Sequence, residues 1–431
     1  MRKHIVALAA LLLPALASAS GYSVINYNPR DMALSDAAVA AQNGAAAVYR
    51  NPAALAGMEG LDFVLGGSLI DLRSDWHATP AQEQAGVSPT SASMYPKAVF
   101  PPAIFAAYGG ELFGHRFGIG AGFDIPAGGN VYWRNNWPGS ADIISVDRRV
   151  YAGYLSGGYE LAPGLKLGGG IIYYRTTELL DRSVNFLNSQ GYGQLGTAGD
   201  AWSFDLSAEW TPFKDVPLTL AFDYKHKADQ TLTGKASFQG VPTALQGIAA
   251  DQDVSHELTV PNFFQVGLAY RVVPQLLVMG EYSLERYVVY KEDRFVGSMG
   301  TTIDVPRSWG NGQIFRFGVE WNTPLPGLTA RGGFLHDSGA SDAMHYSPTL
   351  PDAPLWAWSL GAGYAFLPGW TVDAAFFRAN FDTVNAANSV SFPGVYQNYA
   401  NIYSLGISWH VPVGPKVALA DEGRTAAGLF R

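Results

Sequence analysis

The chain has 431 residues, a net charge of −8 at pH 7, 49 glycines, 13% aromatic residues and no cysteine. The acidic balance argues against a nucleic-acid partner, and the lack of cysteine excludes a disulfide scaffold. The length allows two or three soluble domains or one large β-barrel.

Residues 1–20 begin with Arg2, Lys3 and His4, run apolar from Ile5 to Leu13, and end in Ala17-Ser18-Ala19. This is the pattern of a secretory signal peptide, cleaved near Ala19 or Ser20. After it, no stretch approaches the ~20 apolar residues of a membrane helix. An exported chain rich in glycine and aromatics, without a spanning helix, suits an outer-membrane β-barrel. There the closed sheet pairs every backbone group.

Residues 21–60 are unlike the rest. They are rich in small residues and carry no charge from Ala37 to Tyr49. Pro52 has no backbone donor and biases Asn51 away from helix. Helical turns over 36–49 are therefore predicted to end at Asn51-Pro52-Ala53. The segment is expected to be a compact plug ahead of the β-structure.

From residue 61 onward short β-like segments alternate with turns. The expected strands are 61–73, 98–109, 115–126, 146–160, 164–178, 200–211, 217–229, 262–273, 274–287, 313–323, 327–338, 355–367, 369–382 and 401–412. They number about fourteen, an even count as in single-chain bacterial barrels. Tight turns at 110–114, 161–163, 212–216, 273–274, 322–326 and 368 alternate with long connections at 74–97, 127–145, 179–199, 230–261, 288–312, 339–354 and 383–400. Short periplasmic turns facing long extracellular loops produce this alternation.

Period-two patterning agrees. Trp202, Phe204, Leu206, Ala208 and Trp210 share one face, and Ser203, Asp205, Ser207 and Glu209 the other. Phe315, Phe317, Val319 and Trp321 oppose Arg316, Gly318 and Glu320 in the same way. Apolar-out and polar-in fits lipid outside and water or protein inside. Trp210, Trp321, Trp370 and Trp409 fall at strand ends on the short-turn side, where a periplasmic aromatic girdle belongs.

Four stretches carry a family likeness. They are Asn51-Pro52-Ala53, the strand 261–271 (PNFFQVGLAYR), the late loop and strand 350–364, and the last strand 401–409 (NIYSLGISW). Taken in this order, they resemble the FadL/TodX-type (OMPP1) family of outer-membrane long-chain fatty acid and hydrocarbon transporters, over essentially the whole mature chain. The resemblance implies that residues 21–60 form a hatch folded inside the barrel. It also implies that the third and fourth extracellular loops form an initial hydrophobic groove. The chain departs from the family in one respect. Members usually end in an aromatic residue closing the last strand, whereas residues 413–431 continue here as an expected periplasmic extension.

No catalytic constellation stands out. His336-Asp337-Ser338 suggests a hydrolase, but neighbours on a strand point to opposite faces and cannot converge. The histidines show no metal-ligand spacing, and no cofactor is expected. By alternation Asp205, Glu209, Asp223, Lys225, Arg316, Glu320, Arg331 and Asp373 face inward. Two readings remain: they pair with one another and with the hatch, or one of Arg316, Arg331 and Lys225 holds a ligand carboxylate. Leu180, Val184 and Leu187 are spaced for one face of a short helix, beside Phe186, and Leu245 and Ile248 repeat the pattern. These are candidate ligand collectors, because an exposed apolar face seeks a partner.

In the third strand Arg116, Gly118, Gly120, Gly122, Asp124 and Pro126 share the inward side, so three glycines leave space in the lumen. Pro126 removes a ladder hydrogen bond, and Gly128 and Gly129 permit a bend. The resemblance implies an inward kink here that opens sideways into the bilayer. The fold expected is an all-β transmembrane antiparallel barrel of about fourteen strands with an N-terminal hatch, the barrel spanning 61–412. The function expected is passive uptake of hydrophobic compounds through the Gram-negative outer membrane, by a monomer set among membrane lipid and lipopolysaccharide. The rival is an outer-membrane lipid-acting hydrolase, which would need a converging Ser-His-Asp set.

Overall fold

The computed structural model describes residues 21, 23, 28–95, 97–186, 189–246 and 249–412, without the side chain of Leu245. The expected signal peptide 1–20, the expected extension 413–431, Leu187 and Ile248 lie outside the described residues.

Fourteen antiparallel wall strands form in chain order. They are β1 Gly60–His77, β2 Pro102–Leu112, β3 His115–Tyr132, β4 Ser145–Ala162, β5 Leu165–Phe186, β6 Ser189–Trp210 and β7 Leu218–Lys225, continued as Ala228–Gln239. They continue with β8 Gln252–Val260 then Phe263–Val273, β9 Leu276–Glu285, β10 Gly312–Asn322, β11 Leu328–Asp337, β12 Leu355–Leu367, β13 Trp370–Phe381 and β14 Gly394–Val411. β1 pairs with β2 on one side and with β14 on the other, which closes the barrel. Closure gives every wall strand a partner on both sides over at least part of its length. The breaks in β7 and β8 face each other, since Lys227 N donates to Asn262 Oδ1 beside Pro261. A short hairpin, Glu292–Gly297 with Thr302–Pro306, extends the wall above β9 and pairs with the upper part of β8.

The strands form because two solvents act on one sheet. Leu65, Ile119, Leu155, Leu206, Phe317, Leu360 and Leu405 are exposed on the outside, while Asp205, Asp223, Glu281 and Arg316 are buried within. Lipid accepts the first set, so alternation is strict along the spanning stretch. Trp210, Trp321 and Trp409 are exposed at the periplasmic ends, and Trp370 stacks on Trp409 at 5.1 Å.

Four expectations need correction, one being the long connection 230–261, of which 230–239 and 252–260 are paired strand. The connection 179–199 is not a loop with a short helix. β5 and β6 stay paired up to Phe186↔Ser189, so Leu180, Val184 and Phe186 sit on a strand. Within 36–49 only Ala47–Arg50 begins a helical turn, and Pro52–Gly57 follows as a 3₁₀ turn. Asn51 between them is extended at φ −165°, as the following proline requires. β2 starts at Pro102, not at residue 98.

Candidate functional site

Residues 28–58 lie against the inward faces of strands all around the barrel, and most of them are buried. Polar side chains on the wall meet backbone groups of this segment. Ala53 N donates to Ser207 Oγ at 2.8 Å, Ala45 N to Asp62 Oδ1 at 2.7 Å, and Val39 N to Glu281 Oε2 at 3.1 Å. Ser156 Oγ donates to Val48 O at 2.9 Å, and Ser35 N to Ser359 Oγ at 2.9 Å. A segment of irregular backbone is thereby satisfied inside the barrel. Asn51 is fully buried and donates through Nδ2 to Val39 O at 2.8 Å.

The inward glycines of β3 are where the segment docks. A side chain at Gly118 would strike Leu55, and one at Gly120 would strike Val48. The space expected along β3 is therefore filled, not free. Gly122 takes the buried ring of Phe105 in the same manner. Gly168 of β5 meets the Ala53 backbone, so glycine is required there by close approach.

Two ion networks fix the segment. Arg30 meets Glu320 at 3.0 Å, and Glu320 also meets Arg331 at 2.7 Å, which reaches Asp373 at 2.5 Å. Arg50 meets Glu281 at 2.7 Å, and Glu281 also meets Arg316 at 3.0 Å. Lys225 meets Asp223 at 2.5 Å. Removing one partner of such a buried pair typically costs ~3–5 kcal/mol, because the other charge is left uncompensated.

Above this packed floor is a cavity of about 520 Å³, within the ~300–1,000 Å³ common for small-molecule sites. Leu72, Phe263, Leu335, Leu350, Phe377 and Ile402 give it apolar walls. Its charged groups are the cations Arg50, Lys97, Arg148, Arg149, Lys225 and Arg316 and the acids Asp36, Asp147, Glu285, Asp337 and Asp352. Lys225 meets the Tyr49 ring at 5.0 Å from its centroid. Arg316, Pro126, Gly128 and Gly129 thus line one chamber, whereas Arg331, Leu180, Val184, Phe186 and Asp124 do not. Asp124 instead accepts from the Tyr154 hydroxyl at 2.9 Å. His336 is exposed and Asp337 is buried, on opposite faces of β11. Leu180 packs at the rim of an extracellular aromatic cluster that contains Trp76, Trp133, Trp137 and Tyr396. Trp133 and Trp137 stack there at 4.3 Å.

The cavity reaches a gap in the wall. The β2–β3 ladder ends at Ile104↔Phe123. Above it, Asp124–Tyr132 of β3 pairs with β4 alone among the wall strands, with a register shift between Asp124 and Ala127. The chain ahead of β2 turns to β1 instead: Ile70 N donates to Val99 O at 3.0 Å and Ser68 N to Pro101 O at 3.2 Å. The Pro101 carbonyl faces β1, so by alternation Pro102 faces β3. Pro102 has no N–H to give it, and the ladder stops. Tyr95 N to Tyr132 O, at 2.7 Å, closes the gap at the top. Residues 97–101 and 125–131 line the cavity from the two sides of the gap. The sequence reading found Pro126, Gly128 and Gly129 but missed Pro101-Pro102. Two prolines in a stretch assigned to a central strand were the available signal.

From Ser23, which bridges to Ala127, Oγ donates to Glu285 Oε2 at 2.7 Å. Gly21 N donates to Asp352 Oδ1 at 3.0 Å. The first described residues therefore lie beside the register shift of β3 and on the cavity wall.

Comparison with known proteins gives consistent matches. Residues 10–410 match the family model of the outer membrane protein transport proteins (OMPP1/FadL/TodX). Outer membrane protein P1 of Haemophilus influenzae is 22% identical over 94% of this chain and 98% of its own length. Among solved structures, a Pseudomonas aeruginosa FadL homologue superposes with a TM-score of 0.79 at 17% identity, covering 91% of this chain and 100% of that one. The toluene transporter TodX of P. putida gives 0.69 at 16% identity, over 89% and 99%. At these identities the superpositions establish the fold.

Proposed function

This chain belongs to the OMPP1/FadL/TodX family of outer-membrane transport proteins, and from that premise we propose that it takes up neutral hydrophobic molecules and releases them sideways through the β2–β3 gap. The family consists of transporters, not enzymes, and the chain is a β-barrel of the Gram-negative outer membrane. Its ligands are hydrophobic small molecules, as the family's transport of hydrocarbons indicates.

The observation that carries the sideways route is the continuity of the cavity with the wall gap. Energetics favour it. An apolar molecule of about 200 Å² avoids a cost of roughly 5 kcal/mol by entering lipid instead of periplasmic water, at ~25 cal/mol per Å². Unpaired backbone at membrane depth is tolerated where it lines a cavity.

The charges favour a neutral ligand over a carboxylate. Arg50, Lys97, Arg148, Arg149, Lys225 and Arg316 each have an acidic partner, while Glu285 and Asp352 have no cation within 4.0 Å among the described residues. Arg316 already holds Glu281 through Nη1, so a ligand carboxylate would share a compensated guanidinium instead of neutralising a free one. Arg331, held between Glu320 and Asp373, serves to anchor the hatch.

In this reading residues 21–60, with Asn51-Pro52-Ala53 at their centre, are the hatch that closes the floor. The extracellular part of β5 and β6, with Leu180, Val184 and Phe186, and the connection bearing Leu245 and Ile248 collect the ligand. Residues 1–20 are removed on export, which N-terminal sequencing of outer-membrane protein checks. The barrel 61–412 acts as a monomer among lipid and lipopolysaccharide, with 413–431 as a periplasmic extension.

The test uses the absence of native cysteine. Lys97→Cys with Asn130→Cys, bridged by a reducible bifunctional thiol reagent, ties the two sides of the gap. Toluene uptake by cells is expected to stop, and reduction restores it. Undiminished uptake through fully bridged protein would exclude the lateral route. Oleate run in parallel should be the poorer substrate of the unbridged protein, and a preference for oleate would overturn the neutral-ligand reading.

A further inference from the structure

The gap has an outer face that the sideways route must cross. On the lipid side, a groove of about 390 Å³ is lined by Gly67, Leu69, Phe100, Pro101, Tyr403 and Leu405. Gly67 lies in the outward register of β1, between Leu65 and Leu69 and opposite Leu405 of β14. Its neighbours place it within the lipid-facing band. A side chain there would start in the groove, since a Cβ meets only Pro101 O at 3.4 Å and Pro102 Cα at 3.9 Å. The groove exists because this outward position is glycine.

Phe100 and Pro101 line this groove and the lumen cavity alike. Phe100 is 72% exposed, and its segment is bonded to β1, not to β3. It stands two alternations above Ile104 of the last β2–β3 rung, and Pro102, which pairs with Gly67, stands one alternation above it. Phe100 and Pro101 thus form the shared wall of the lumen cavity and the outer groove.

We propose that the groove is the first binding site of the transported molecule outside the barrel, and that Phe100 is the leaf between the two chambers. This rests on the lateral route proposed above. The occupant is the departing apolar molecule, because the groove shares its inner wall with the chamber that holds it. An apolar ligand that leaves the lumen past Phe100 enters a slot shaped by Gly67 before it mixes with bulk lipid. A clear slot speeds release, and a filled slot returns the ligand to the lumen.

Gly67→Leu fills the groove from outside without touching the lumen. Gly280→Leu is the control, since an added Cβ at this glycine of β9 approaches nothing closer than Leu268 Cγ at 4.0 Å. With toluene as the probe, G67L is expected to slow uptake by cells about tenfold relative to G280L, as expected when a release step becomes limiting. Toluene binding to the purified protein should stay unchanged, and both variants should keep the heat-modifiable barrel form. Phe100→Ala, which removes the leaf, is expected to raise uptake. Equal uptake by G67L and G280L would overturn the proposal, and so would a groove held by a bilayer acyl chain, which gives the same equality. The bridged K97C/N130C protein separates the two readings. If bridging stops uptake while G67L equals G280L, the route stands and the groove falls. If bridged protein still transports toluene, the lateral route itself has failed.

Discussion

The wall between β5 and β6 and the wall between β2 and β3 are built from the same alternation, yet only one is sealed. The first runs from Leu165↔Trp210 to Phe186↔Ser189 without a break. The second stops at Ile104↔Phe123. The difference is not apolar content, since Ile104, Phe123, Ile171 and Trp202 are all exposed to lipid. It lies in backbone donors. β5 and β6 contain no proline, whereas β2 is preceded by Pro101, begins with Pro102 and faces Pro126. A barrel can thus place an opening by withholding a few N–H groups while leaving its lipid-facing surface intact.

The comparison is broken most severely from below. Deleting residues 21–58 leaves the fourteen strands but empties the floor, which should create a water path that bypasses the gap. Single-channel conductance in a planar bilayer is expected to rise at least about tenfold, given the width of a fourteen-stranded lumen. Unchanged conductance would mean that the segment is not a seal. A smaller effect tests the sealed wall. Thr177→Pro places a proline in the middle of β5, between Arg149 and Ala198, where it removes a ladder hydrogen bond and should cost ~1–3 kcal/mol. A lower midpoint of heat-induced mobility change on gels would show it. The smallest effect tests the open wall. Pro102→Ala returns one donor toward β3, so the ladder can climb by a rung. Stability should change by less than ~1 kcal/mol, while toluene uptake falls roughly threefold as the gap narrows. Unaltered uptake in P102A would show that the missing donor does not set the gap.

The sequence disclosed the wall better than what lies at its two ends. Fourteen strands were legible because lipid demands an apolar side chain at every second position across the membrane. Beyond the membrane that demand ends, as Arg175 and Asp200 show by pointing outward at 3.3 Å from each other. There Leu180 and Val184 misled, because positions four apart share a face in both a helix and a strand. Phe186, two further on, fits only the strand. The N-terminal segment was legible as something to be buried, from its small residues. Its docking sites were not, because Gly118 and Gly120 look the same in sequence whether they open a channel or receive Leu55 and Val48. The charged lumen residues were placed correctly inward. Their pairing across distant strands, such as Arg30 with Glu320, is set by tertiary closure and leaves no local pattern.

The tether between the N-terminal segment and the wall also dictates an order of assembly. Pro52–Gly57 is separated from Gly60 of β1 by two residues, and β1 forms the seam with β14 from Leu61↔Val411 to His77↔Val395. Once that seam is zipped, a folded segment carrying Arg30 and Arg50 could enter only by threading an end of the cylinder. Chains avoid such threading. The segment must therefore settle against the glycines of β3 and β5 while the first and last strands are still apart. Seam closure then becomes the step that locks the interior, and a variant that delays docking will close around an unfilled floor.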